Sequence, residues 1–203
     1  MKRRLVLSAA LLAAVIGAGC AGTPGASGQA LASRAPQAGP IVAGQSVPVT
    51  TFDTVEAQQA LLASPDPKLA ANKKLVYDWW REVLAAGHVE NADKYMHAEY
   101  IQHNPAVATG AAAFKGFFGS RPPREIKPVI DNLGSIAAEG DLVIFAFRRD
   151  MPEPQDPAKC YTTTWFDMMR IKDGKVAEHW DYGTKRPLAA GPPAPAAPPT
   201  CSR

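Results

Sequence analysis

The sequence has few cysteines, few aromatic residues and no extended run of one charge. Its 203 residues include three cysteines and 8% aromatic residues, and the formal charge is +3 at pH 7. Part of that charge comes from Lys2, Arg3 and Arg4, and the rest of the chain is close to neutral. No basic stripe predicts nucleic-acid binding, and no spacing of Cys, His and carboxylates predicts a metal site. We therefore expect no metal, no cofactor and no nucleic-acid partner.

The chain also lacks an apolar run that could span a bilayer. Residues 5–19 are uncharged, but 15 residues are too few to cross a membrane as a helix. They follow a basic N-terminus and end in small residues, as in a signal peptide. The segment GAGC at 17–20 resembles a bacterial lipobox, which implies a signal peptide over 1–19 and lipidation of Cys20. We expect a lipid-anchored protein of the bacterial cell envelope, on the periplasmic side of the outer membrane. Ordinary secretion of a soluble protein is the alternative.

Two cysteines remain if Cys20 carries the lipid. Cys160 and Cys201 can then form a disulfide in an oxidising compartment, which would tie the C-terminal tail to the domain. Two unpaired thiols are the alternative.

Composition divides the chain after the signal peptide. Residues 20–64 are rich in Gly, Ala, Pro and Ser and predict a flexible linker with a short helix near its end. Residues 188–203 form a proline-rich tail. The folded domain is predicted over 65–187.

Within the domain, helical patterns come first and strand patterns follow. Apolar spacing predicts a long helix over 66–87, a short helix near 90–96 and a third over 109–120, capped by Thr109. Strands are predicted from about residue 125 onward, and Asp173-Gly174 indicates a tight hairpin turn. Helices followed by antiparallel strands predict an α+β fold with the helices on one face of the sheet.

The hairpin around Asp173-Gly174 allows a register to be predicted. Uninterrupted pairing places Asp167 opposite Trp180, on one face with Trp165 and Tyr182. It places His179 on the opposite face, together with Asp181. A carboxylate among aromatic rings has a raised pKa when desolvation dominates, which suits a general acid or base. A packing role, with Asp167 hydrogen-bonded to a neighbour, is the alternative.

Several motifs together resemble a known superfamily. These are YIQHNP at 100–105, AEGDLV at 138–143 and FDMMRIKDGKVAEHWD at 166–181. They are similar to the SnoaL-like branch of the nuclear-transport-factor-2-like superfamily, in particular to proteins described as aldol-condensation enzymes. The resemblance implies a cone in which three N-terminal helices pack on a curved antiparallel sheet, often dimerising through the outer sheet face.

The resemblance also implies a pocket and its chemistry. Asp167 matches the acid–base aspartate of the SnoaL-like cyclases, and His103 of the QHNP motif is the second catalytic candidate. The usual H-x-H pair of the closer group is replaced by Ala146 and Arg148. The remaining candidates would bind the small-molecule ligand; they are Tyr100, Phe117, Arg148, Trp165, Trp180 and Tyr182.

Two main functions remain open from the sequence, besides a purely structural lipoprotein whose long linker lets the domain reach a neighbour. One is cofactor-free acid–base chemistry of the aldol, isomerase or dehydratase type on a small apolar or carbonyl compound. The other is a non-catalytic binding or interaction module of the cell envelope with the same fold. The replacement of the H-x-H pair favours the second.

Overall fold

Four α-helices and five strands form the part of the chain that the computed structural model describes, Val47 and residues 49–183. The helices are α1 (Val55–Leu62), α2 (Pro67–Trp79), α3 (Ala92–Tyr95) and α4 (Ala111–Phe118). The strands are β1 (Met96–Gln102), β2 (Leu133–Glu139), β3 (Leu142–Pro152), β4 (Cys160–Lys172) and β5 (Lys175–Asp181).

The five strands form one curved sheet in the order β1-β5-β4-β3-β2. Three of the neighbouring pairs are antiparallel, and β1 pairs with β5 in parallel. The helices pack against one face of the sheet, so the predicted α+β class is confirmed. A parallel pair needs a long connection between its strands, and α4 and strands β2–β4 lie between β1 and β5 in the chain.

Helix α2 begins as its sequence predicts. The Asp66 carboxylate accepts a hydrogen bond from the Lys68 N–H at 2.7 Å, and Pro67 occupies the first turn, where no amide hydrogen is required. The helix continues as a π-helical segment, Trp80–Ala85, and the chain then turns at Gly87, whose φ is +82°. The long helix predicted over 66–87 therefore exists, with a wider last section.

The core lies between α2 and the central strands. The fully buried side chains that meet there are Trp79, Val83, Val143, Phe145 and Met169. Removing one large apolar side chain of this kind from water stabilises the fold by about 1.5–3 kcal/mol. Strand β2, at one edge of the sheet, starts only at Leu133, so the strands that follow α4 begin later than the predicted residue 125.

A buried glutamine connects α1 to the rest of the domain. The Gln58 amide donates to the carbonyls of Phe52 and Ile130 at 2.6 and 2.8 Å, and its oxygen accepts from the Ile130 N–H and the Tyr77 hydroxyl at 2.8 Å. All polar atoms of this buried amide are therefore paired. Residues before the predicted domain boundary at 65 thus pack into the same core.

The third predicted helix starts later than expected. Gly110, with φ +103°, precedes α4, whereas the Thr109 hydroxyl accepts a hydrogen bond from the Gln102 N–H at 3.2 Å. The predicted cap at Thr109 is wrong because this side chain is held by the neighbouring strand end.

Several sequence predictions fall outside the described residues. The signal peptide, Cys20, most of the linker, the proline-rich tail and Cys201 lie there. Cys160 is disulfide-bonded, and its pairing with Cys201 remains a prediction. No helix among the described residues is long and apolar enough to cross a membrane.

Candidate functional site

A β-bulge in the last hairpin decides which side chains meet. The turn forms as predicted: Asp173 and Gly174 both have positive φ, 51° and 71°, and Lys172 pairs with Lys175. Ile171 still pairs with Val176, but Arg170 pairs with Glu178, so β5 contains one extra residue opposite β4.

The bulge reverses the predicted faces of β5. Beyond it, Met169 pairs with His179 and Asp167 pairs with Asp181, whereas uninterrupted pairing placed Asp167 opposite Trp180. Because side chains alternate, a shift of one residue moves every later side chain to the other face. The predicted separation of His179 and Asp181 from Asp167 is therefore wrong.

Asp167 and His179 form a buried pair on the helix-covered face. The Nε2 atom of His179 lies 3.0 Å from Oδ1 of Asp167, and the two residues are only 5% and 2% exposed. The ring of Trp79 on α2 meets the His179 ring edge to face, with centroids 5.7 Å apart. The pair is thus enclosed between the sheet and α2.

The other nitrogen of His179 faces two donors from β1. The Tyr100 hydroxyl lies 3.0 Å from Nδ1, and the Gln102 amide nitrogen lies 3.1 Å from Nδ1 and 3.1 Å from the Tyr100 oxygen. The Gln102 amide is oriented by its oxygen, which accepts the Asn104 N–H at 3.0 Å. The Gln102 NH2 group therefore points at His179.

The orientation of the Gln102 amide indicates which nitrogen of the His179 ring carries the hydrogen. Since the Gln102 NH2 group and the Tyr100 hydroxyl both donate toward Nδ1, that nitrogen is the acceptor of a neutral ring. Nε2 then carries the hydrogen and donates it to Asp167. One hydrogen-bond chain runs from Gln102 through Tyr100 and His179 to the carboxylate.

Asp181 adds a second carboxylate beside this chain. Its Oδ2 accepts a hydrogen bond from the Asn104 side-chain amide at 2.8 Å, and the Asn104 oxygen in turn accepts the Ala106 N–H at 2.9 Å. Gly183 passes so close to Asn104 that a β-carbon there would overlap the side-chain amide. The position thus requires glycine for packing.

Burial governs the electrostatics of the site. Desolvation raises the pKa of Asp167, the hydrogen bond from His179 opposes that shift, and the charge of Asp181 adds to it. Desolvation also raises the pKa of the Tyr100 phenol, so this group stays protonated and donates. Trp165 lowers the Asp167 pKa slightly, but Asp167 Oδ2 has no partner with normal hydrogen-bond geometry among the described residues.

Two cavities adjoin the site. The smaller, of about 260 Å³, is bordered by Asp167 and lined by aromatic and charged side chains, among them Trp80, Phe147, Trp165 and Arg149. The larger is a groove of about 660 Å³ lined by Trp165, Arg149 and Asp181 and by residues at the sheet surface, Phe166, Met168, Trp180 and Tyr182. Trp165 and Arg149 belong to both cavities.

His103 does not join the site. Its side chain is exposed, stacks on Trp180 with ring centroids 4.4 Å apart, and lies 3.1 Å from a Glu178 oxygen. Its position two residues after Ile101 predicts that both side chains share an inward face, which is wrong because Ile101 is itself 43% exposed. Strand β1 turns Tyr100 and Gln102 toward the core instead.

The other predicted ligand-binding residues are divided among several places. Trp165 lines both cavities, whereas Trp180 and Tyr182 line only the larger one. Arg148 borders the smaller cavity, but its Nε lies 3.6 Å from Asp150. Phe117 lines neither cavity and packs on Phe118 in α4.

Sequence reasoning missed His179, Gln102 and Asn104. The QHNP motif contributes its first and third residues to the site rather than its histidine. A sequence signal for the bulge that turns His179 inward was present: Val176 and Ala177 are adjacent apolar residues. Both are buried, which breaks the alternation of buried and exposed side chains along β5.

The same cluster is close enough to surround a cation. One ligand atom each of Asp167, His179 and Asp181 lies within 4.8 Å of the others. As arranged, however, Nε2 of His179 donates to Asp167 and Nδ1 accepts from β1, so neither nitrogen has a lone pair available for a metal. We therefore interpret the cluster as an acid–base network.

The fold and this network define a class of protein: an α+β cone that encloses a carboxylate–imidazole pair beneath its helices. The family model of the SnoaL-like domain matches residues 76–179, which are more than half of the chain. The chain belongs to the SnoaL-like domain family. A comparison with curated proteins yields no match.

Three solved structures illustrate the similarity. A proposed SnoaL-like polyketide cyclase from Jannaschia sp. CCS1 has 16% identity and a TM-score of 0.42, covering 59% of this chain and 90% of its own. A proposed polyketide cyclase from Acidithiobacillus ferrooxidans has 17% identity and a TM-score of 0.41 at the same coverage, 59% and 90%. An epoxide hydrolase of the LEH-like type from M. tuberculosis has 14% identity and a TM-score of 0.39, covering 55% and 81%. None of these similarities bears on the activity of this chain.

Proposed function

We propose that the domain catalyses cofactor-free proton transfer next to the carbonyl group of a small compound, as in aldol, isomerase or dehydratase reactions. Asp167 is the acid–base residue, and the substrate occupies the cavity of about 260 Å³ that Asp167 borders. His179 is a positioning residue that acts through Asp167.

One observation carries this proposal. Asp167 is buried beside an aromatic cavity, with one oxygen held by His179 and the other without a hydrogen-bond partner of normal geometry among residues 49–183. A buried carboxylate with an unpaired oxygen is costly to a fold unless that oxygen serves another purpose. A raised pKa matches the requirement of a group that both takes and returns a proton.

The chemical step follows from these contacts. The Asp167 carboxylate removes a proton from the carbon beside the carbonyl, and the electron pair of that C–H bond moves toward the carbonyl oxygen. The resulting carboxylic acid then returns the proton to the same or a neighbouring atom. The Nε2–H of His179 holds Oδ1 throughout, so only the other oxygen is available to the substrate.

Hydrogen exchange at the α-carbon tests the step without knowledge of the product. The purified protein is incubated in D2O with a panel of small aldehydes and ketones, and loss of the α-proton signal is followed by NMR. We expect exchange by the wild-type protein and a decrease of at least about 100-fold in Asp167→Asn. Exchange by Asp167→Asn at the wild-type rate, or none by the wild type on any compound, would contradict the proposal.

A binding module is the second candidate, and the larger groove favours it. The groove of about 660 Å³ is lined by exposed aromatic side chains and by few groups that transfer protons. If this candidate is right, compounds bind at the groove with equal affinity in the wild type and in Asp167→Asn, and neither protein exchanges α-protons.

We also propose export and lipid anchoring through Cys20, on the strength of the N-terminal sequence alone. Metabolic labelling with a clickable palmitate analogue would mark the wild-type protein and not Cys20→Ala. Recovery of an unlabelled wild-type protein from the soluble periplasmic fraction would support ordinary secretion instead.

A homodimer through the outer sheet face is proposed for a separate reason. Phe166 is 59% exposed and Ile144 is 37% exposed on that face, and exposed apolar side chains in one area mark contact surfaces. Light scattering after size exclusion should give a dimer for the wild type and a monomer for Phe166→Glu; a wild-type monomer would refute the proposal.

A further inference from the structure

Arg149 is the one charged side chain that borders both cavities and has no ion-pair partner among residues 49–183. It lies on β3, two residues beyond the core residue Phe147 and on the same face of the strand. Phe147 pairs with Trp165 on the neighbouring strand β4. Its guanidinium carbon is 4.6 Å from the centre of the Trp165 ring. Its neighbour Arg148, in contrast, lies 3.6 Å from Asp150 and bonds the Asn132 carbonyl through its backbone N–H at 2.9 Å.

The contact with Trp165 leaves the polar edge of Arg149 available. A guanidinium that stacks on an aromatic face still directs its N–H groups outward in the plane of the group. Those N–H groups form a fork whose geometry matches a carboxylate. The stacking also reduces the number of side-chain conformations, so less freedom is lost when an anion binds.

Apart from Asp167, the carboxylates that line the two cavities are engaged elsewhere. Asp131 borders the smaller cavity but is paired with Lys127 at 2.6 Å, and Asp181 accepts from Asn104 at 2.8 Å. Arg149 is therefore the charged side chain that remains available to a ligand in this cavity beside Asp167.

We propose that the substrate carries a carboxylate, bound by Arg149, in addition to the carbonyl group that Asp167 acts beside. The compound class is a small oxo acid whose apolar part contacts Trp165 and Phe147. The proposal rests on the proposed function, because both use the cavity that Asp167 borders, and it adds the chemical class of the substrate.

The test uses 4-oxopentanoate and its methyl ester as probes, since they share a carbon skeleton and differ in charge. Ligand-observed NMR titration gives the dissociation constant of each for the purified protein. We expect the acid to bind about tenfold more tightly than the ester in the wild type, and the acid alone to bind more weakly as KCl rises. Equal affinities for acid and ester in the wild type, or acid binding insensitive to KCl, would overturn the proposal.

Two variants make the assignment specific. Arg149→Gln should remove the preference for the acid, whereas Arg121→Gln, which removes the same charge from an exposed residue that lines neither cavity, should retain it. A preference that survives in Arg149→Gln, or that is lost equally in Arg121→Gln, would refute a role for Arg149.

The outcomes separate this proposal from the function on which it rests. In Asp167→Asn the preference for the acid should persist while α-proton exchange is lost. If exchange is lost in Asp167→Asn but the preference for the acid does not depend on Arg149, only the anion site is refuted. Persistence of exchange in Asp167→Asn, together with an Arg149-dependent preference, refutes only the catalytic assignment.

Discussion

The Nε2–H of His179 donates to Oδ1 of Asp167 across 3.0 Å, although uninterrupted pairing of their two strands would separate them on opposite faces. One extra residue in β5 brings them together. The acid–base network of this domain is therefore a consequence of a β-bulge, and not only of the identities of the residues in it.

Deletion of Ala177 tests the register that the extra residue in β5 sets. Without Ala177, Glu178 and His179 would follow Val176 directly and pair with Arg170 and Met169 without interruption, so His179 would still face Asp167. We expect the hydrogen bond between His179 and Asp167 to persist in the NMR spectrum of the variant, with a loss of about 0.5–3 kcal/mol in the free energy of unfolding by urea denaturation. Loss of the contact between His179 and Asp167 in this variant would contradict the assigned bulge.

Asp167→Asn should stabilise the protein, and the gain should depend on pH. Burial raises the folded pKa of Asp167 above its ordinary value of 3.8, so the unfolded state releases this proton first as pH rises. Below both pKa values the carboxyl group is protonated in the folded and the unfolded state, so its ionisation does not affect the free energy of unfolding. Stability is lost as the pH rises through the folded pKa. The variant should equal the wild type at low pH and exceed it by about 1 kcal/mol at neutral pH. Urea denaturation at several pH values checks this, and a pH-independent difference would contradict it.

Tyr100→Phe should weaken the network without abolishing it. The hydroxyl donates toward His179 Nδ1, and Gln102 remains as a second donor at 3.1 Å. We expect a decrease of about 1 kcal/mol in the free energy of unfolding. The nitrogen chemical shifts of His179 should still report a hydrogen on Nε2; a shift of that hydrogen to Nδ1 would contradict the assigned tautomer.

Gly183→Ala should disturb the Asn104–Asp181 contact, since the added methyl group would overlap the Asn104 amide. A decrease of about 1–3 kcal/mol in the free energy of unfolding is expected. Gly116→Ala is the matched control: it lies within α4 with nothing near the new methyl group, and should stabilise by about 0.5–1 kcal/mol. Equal effects of the two substitutions would refute the close approach.

His103→Ala should leave α-proton exchange within about twofold of wild type, because exposed side chains away from the site contribute little. This residue stacks on Trp180 and does not reach Asp167. A large loss of exchange in His103→Ala would contradict this and support the catalytic role that the QHNP motif predicts for His103.

The fold was predictable because its signals are local. The cap at Asp66, the first-turn Pro67 and the Asp173-Gly174 turn each act over a few residues, and all three form as their sequences indicate. The aspartate of the site was also identified, because a carboxylate within an aromatic strand is unusual wherever it occurs.

The partners of Asp167 could not be predicted in the same way. A bulge changes the register by one residue, and the curvature that requires it is a property of the whole sheet. The orientation of Tyr100 and Gln102 depends likewise on the parallel pairing of β1 with β5, whose paired residues lie 77 or more positions later in the chain. Counting alternate positions along one strand carries no information about either.

The pH dependence of α-proton exchange tests the central claim most directly. If Asp167 is the base, the exchange rate of the wild type rises with pH along an acidic limb whose midpoint lies above 3.8. In Asp167→Asn the exchange is lost, and with it the acidic limb. The same limb and the same rate in Asp167→Asn would show that another group removes the proton.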